Sequence, residues 1–198
     1  MLARVLPRFP AILALLTLGG LLSACGINTI PTLDEQAKAA WSQVQNQYQR
    51  RADLVPNLVE TVKGYASHEK EVLTQVTEAR AKATQVQVNV DQLTDPEALK
   101  KFQEAQAQLS GALGRLLAVS ENYPDLKANQ NFLSLQSQLE GTENRISVAR
   151  RDYIQAVQAY NTEVRTFPGR LWAFVYGAKP MATFTTTEAN QNAPQVKF

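Results

Sequence analysis

One cysteine and one histidine are the residues of this 198-residue chain best suited to nucleophilic or metal chemistry. His68-Glu69 opens like the zinc-protease helix, yet no second histidine stands four residues on, where a helix would bring two imidazoles to one face. His68, Glu69 and Glu71 are therefore expected to form a solvated helical face. No serine sits in a glycine-flanked elbow that would present its hydroxyl to an activating base. Gly111 and Gly114 fall inside a helical pattern rather than in a phosphate-cradling loop, and are expected to let two helices approach closely. The chain is accordingly expected to be non-catalytic and to hold no metal or cofactor; enzymatic or metal-dependent activity is the lesser alternative.

Cys25 has a different setting. Arg4 and Arg8 give a basic start, Ala11 to Leu22 carries no charge, and small residues precede the cysteine, as signal-peptide cleavage requires. The apolar run is shorter than the roughly 20 residues of a spanning helix, and Gly19 and Gly20 weaken it further. An uncleaved transmembrane anchor is the alternative. Leu22-Ser23-Ala24-Cys25 resembles the bacterial lipobox. That resemblance implies cleavage after Ala24, a diacylglyceryl thioether on Cys25 and an N-acyl chain such as palmitate. Two or more chains, at roughly 0.8 kcal/mol per buried methylene, hold a protein on a bilayer. Gly26 rather than an aspartate follows, which in a two-membraned host points to the outer membrane. The expected location is the bacterial cell envelope, facing the periplasm.

Removing residues 1–24 takes away Arg4 and Arg8 and no acid, leaving 18 basic and 18 acidic residues. A neutral chain of that length suits one domain, and the balance predicts no nucleic-acid partner. If the only cysteine is acylated no disulfide can form, so stability must come from packing. Glycine and proline are sparse, and Gln, Ala, Leu and Val fill long breaker-free stretches, which predicts an all-α protein.

The elements follow from spacing. Thr32 with Glu35 resembles a capping box behind Pro31, so residues 25–32 read as a tether and the first helix starts there. Its stripe runs Trp41, Val44, Tyr48, Ala52, Val55, Val59, Val62, Ala66, Leu73 and Val76, continuous to about Val88 unless broken. Pro56 removes a backbone donor and should kink this helix, freeing the Ala52 carbonyl. Asp95-Pro96-Glu97 caps a second helix carrying Leu99, Phe102, Leu109, Leu113 and Leu116. A third runs from Phe132 through Leu139, Ile146, Tyr153, Ala156, Tyr160 and Val164 to Phe167 at near-heptad spacing, and Pro168-Gly169 stops it. The expected architecture is an elongated antiparallel bundle of three long helices plus a short C-terminal helix, over residues 33–177. Residues 178–198 should form an extended or disordered tail, with Phe184 and Phe198 as candidate pins. The alternative is an intermolecular coiled coil, a self-associating spacer. Phe167, Trp172, Phe174 and Tyr176 are expected to cap the bundle end rather than anchor in a membrane interface.

The segment Arg50 to Tyr65 closely resembles the signature of the LemA family. The match continues through Glu78-Ala79-Arg80-Ala81, Leu139 to Ile146, Arg150-Arg151-Asp152-Tyr153, Tyr160-Asn161 and Val196-Lys197-Phe198. The resemblance implies an elongated helical bundle tethered to a bacterial envelope membrane, in a family without a settled activity. Within the signature, Arg50, Arg51, Asp53, Pro56 and Asn57 on the first helix, and Glu140, Glu143, Asn144 and Arg145 on the third, are candidates for one of two roles. They either pair across the bundle and fix its register, or form a docking site for an unidentified envelope protein.

Overall fold

The computed structural model describes residues 26–184; Cys25 with the expected signal peptide before it, and the expected tail from 185 with Phe198, lie outside the described residues. Helical segments with an apolar stripe gain most of their stability by burying it against one another. Here α1 spans Thr29–Tyr65, α2 Lys70–Gln85, α3 Pro96–Ser120, α4 the single turn Pro124–Lys127, α5 Gln130–Arg165 and α6 Gly169–Tyr176. Among the described residues every regular element is helical, so the chain is an all-α bundle.

At 1.5 Å per residue, α1 and α5 are each about 55 Å long. They run antiparallel: Asn129 donates to the Tyr65 hydroxyl at one end (2.8 Å), and Trp41 packs on Tyr153 towards the other. α2 turns back along α1, and α3 returns beside α2, giving an up-down-up-down order. The apolar stripes that a dimer seam would need are thus covered within one chain.

Several boundaries depart from the sequence reading. α1 begins at Thr29 rather than after Thr32: Pro31 falls in the first turn, where no backbone donor is needed, and the Thr32 hydroxyl donates to Asn28 O (2.8 Å). The stripe from Thr32 to Val88 belongs to two helices, because Ala66 leaves the helical region at φ −124°, ψ 51°. Gly64, Ser67 and His68 are weak helix formers, and reversal lets Leu73, Val76, Ala79 and Ala83 cover Val55, Leu58 and Val62. His68 therefore sits exposed in a turn, not on a helical face. Gly111 and Gly114 face open space, so they mediate no close contact. In α5 Val157 is fully buried and Ala156 only half so, while Phe167 lies beyond the helix and exposed. Asp95 behaves as expected, accepting from the Glu97 N–H at 2.9 Å with Pro96 in the first turn.

The segment after α6 is extended and pinned. Asn161 takes the Met181 N–H on its Oδ1 (2.8 Å) and donates to the Met181 carbonyl (2.9 Å). The Tyr153 hydroxyl donates to Ala182 O, and the Ala182 N–H to Leu93 O. Phe184 then closes an aromatic group with Trp41 and Tyr153, under the Arg150 guanidinium 4.4 Å from its ring centre.

Burial raises the phenol pKa of Tyr153, Tyr48 and Tyr160, with Arg150 and Arg51 partly offsetting the rise at Tyr48. Folded phenols then keep protons that unfolded tyrosine releases near pH 10, so unfolding sheds protons and stability falls as pH rises above about 10. Urea midpoints measured from pH 8 to 11 should show this fall, and Tyr153→Phe should flatten it.

Candidate functional site

Arg51 lies on the inward stripe of α1, between Tyr48 and Val55, and is 1% exposed. One terminal nitrogen donates to Glu143 Oε1 on α5 (2.9 Å) and to Ser110 Oγ on α3 (2.7 Å). The other donates to the Gln106 side-chain oxygen (2.7 Å) and carbonyl (3.1 Å), also on α3. Gln106 in turn donates to Ala83 O on α2 (3.1 Å). One guanidinium thereby links all four long helices. Its planar fork suits this task, since several fixed donors must meet acceptors on separate rods. The Tyr48 ring lies under it at 5.0 Å. Apolar clusters lie on both sides of this layer, one around Trp41, Phe102 and Tyr153, the other around Val55, Leu113 and Phe132. The Arg51 Nε has no partner among the described residues.

Pro56 produces the second link. α1 continues through it, and the Ala52 carbonyl that it deprives of a donor receives Arg80 Nε from α2 at 2.8 Å. The carbonyl that Pro56 frees from the helix is therefore occupied within the fold. Arg80→Leu should cost about 1–3 kcal/mol, the price of an orphaned carbonyl. In a Pro56→Ala background the restored N–H serves Ala52, so the same change should cost clearly less by urea unfolding.

The remaining signature residues point outward. Arg50, Asp53, Pro56, Asn57, Glu140, Asn144 and Arg145 are exposed. Asp53 accepts from Gln49, Glu140 from Gln136, and Arg145 reaches Thr142, all within their own helices. Of the candidates, only Arg51 and Glu143 are brought together across the bundle. Asn57 lines an open groove of about 440 Å³ between α1 and α5, facing Asn131, Ser134 and Gln138. Sequence reasoning did not separate Arg51 from Arg50 and missed Gln106 and Ser110. The available signal was position: Val44, Tyr48, Arg51, Val55, Leu58 and Val62 are spaced by alternating fours and threes.

At the end of the bundle where Gly26 enters, the aromatic cluster covers the core only through Trp172, which packs against it. Phe167 and Phe174 are exposed, and Trp172 is half-buried beside Gly26. Among the described residues no helix is long and apolar enough to cross a membrane, and no three His, Cys, Asp or Glu side chains are placed to hold a metal ion.

Four antiparallel rods tied through one buried arginine, with most of the other signature residues on the surface, define an all-α helical-bundle protein. The chain belongs to the LemA family, whose model matches residues 40–198. It is similar to Magnetosome protein MamQ 1 of Paramagnetospirillum magneticum, 27% identical over an alignment of 168 residues that covers 77% of this chain and 62% of that one. It is 25% identical over 173 residues to MamQ of Magnetospirillum gryphiswaldense, covering 79% and 64%. To Protein LemA of Metamycoplasma hominis it is 28% identical over 128 residues, covering 65% and 54%. The chain thus spans less than two thirds of the length of these relatives.

Proposed function

We propose that this LemA-family chain is a lipid-anchored, non-catalytic scaffold of the bacterial envelope, held at Cys25 and presenting the outer faces of α1 and α5 to another envelope protein. The observation that supports this most is the division of polar residues in the signature. Arg51, Glu143 and Arg80 are consumed in ties between helices, while Arg50, Asp53, Asn57, Glu140, Asn144 and Arg145 stand on the surface, Asn57 lining an open polar groove. A catalytic site needs convergent groups in a pocket; a recognition surface needs exposed ones on rigid rods. The lipid rests on the Leu22-Ser23-Ala24-Cys25 motif.

Two measurements test the halves separately. Labelled palmitate should enter the wild-type chain and not Cys25→Ser; equal labelling removes the lipoprotein assignment. A photocrosslinking residue at Asn57 or Asn144 should yield one discrete envelope adduct, lost on charge reversal at Arg145 with the fold intact. Absence of any adduct from either site in folded, membrane-bound protein rejects the scaffold.

A further inference from the structure

We propose that α6 is an interfacial helix that seats this end of the bundle in the lipid headgroup region, so that the bundle is docked on the bilayer and not merely tethered to it. This rests on the membrane attachment above and goes beyond it.

α6 reads Gly-Arg-Leu-Trp-Ala-Phe-Val-Tyr, and its bundle-facing side is set by Gly169 and Ala173, both buried. At 100° per residue, Leu171, Phe174 and Val175 lie on the opposite side. They are 60%, 89% and 68% exposed, and Phe167 just before the helix is 81% exposed. A helix apolar on both sides needs two apolar surroundings, and the bundle supplies one. Four large apolar side chains side by side in water are unusual for a soluble surface.

The position of the chain entry selects lipid as the other. The Tyr176 hydroxyl donates to the Ile27 carbonyl (3.1 Å), and a Cβ on Gly26 would lie 3.3 Å from Trp172 Nε1. Gly26 thus lies against α6, and residues 1–25 before it contain the uncharged run Ala11 to Leu22 and the lipobox-like motif. Whether the anchor is a thioether lipid or a retained apolar segment, it enters the bilayer beside this patch. Arg165 and Arg170 flank Phe167 along the chain and Lys179 follows α6, all three exposed, as suits anionic headgroups. Gly169 lets the start of α6 lie tightly against the end of α5, where a Cβ would clash with the Glu163 carbonyl.

The two tryptophans make the test internal, because Trp41 is fully buried in the core and Trp172 lies on α6. The full-length protein is reconstituted in phosphatidylcholine–phosphatidylglycerol vesicles with or without acyl chains brominated near the headgroup. Vesicle flotation is scored in parallel. Trp172 emission, read in Trp41→Phe, should fall by about half with brominated lipid, whereas Trp41 emission, read in Trp172→Phe, should not change. Phe167→Ser/Phe174→Ser should abolish the quenching while the protein still floats and unfolds at the same urea concentration. Flotation without quenching of Trp172 overturns the seating and leaves the anchor standing. Quenching that survives the double substitution also overturns it, as contact of Trp172 with the chain's own anchor would do. Failure to float removes both.

Discussion

Glu143→Ala is expected to destabilise the bundle by about 3 kcal/mol in urea unfolding, the low end of the ~3–5 kcal/mol for stripping one partner from a buried ion pair. Arg51 is 1% exposed and cannot shed its charge. Its other acceptors, Ser110 Oγ and the two Gln106 oxygens, are neutral. The Glu143 side chain is 44% exposed, so water reaches the vacated position and keeps the loss at the low end. Arg51→Met removes the charge while filling much of the space. In that background Glu143→Ala should cost under about 1 kcal/mol, as for a surface carboxylate. Equal costs in the two backgrounds would show that the pair contributes nothing.

Trp41→Ala should cost about 4 kcal/mol, within the range for deleting a fully buried large aromatic. Its ring centre lies 5.3 Å from Phe102, 5.2 Å from Tyr153 and 6.0 Å from Phe184, and its Nε1 donates to Val88 O at 2.9 Å. The substitution removes the floor beneath Phe184, so the pinned segment 178–184 should loosen before the bundle does. Hydrogen exchange reads this directly. The Ala182 N–H, bonded to Leu93 O, should exchange faster by a larger factor than amides in the middle of α5. Uniform acceleration of both would mean that Phe184 and Trp41 do not hold the segment.

Helical content, the Asp95 cap and most of the stripes are legible in the sequence because each depends on residues within a turn or two of each other. The split at Ala66 is not, since the same apolar spacing serves a straight helix and a reversed pair; the cover that α2 gives Val55, Leu58 and Val62 decides between them. The surface at α6 is hidden for a related reason. A short run apolar on every side carries no period that says which half meets the bundle.

By itself the sequence determined an all-α chain with a lone cysteine behind an apolar run, and a family signature concentrated on two helices. The spacing of Tyr48, Arg51 and Val55 puts Arg51 rather than Arg50 on the inward stripe, since neighbouring residues on a helix differ by 100° in direction. What that arginine meets was decided only by the tertiary structure. The acceptors Glu143, Gln106 and Ser110 stand 55 to 92 residues away along the chain, and only packing brings them to the same guanidinium.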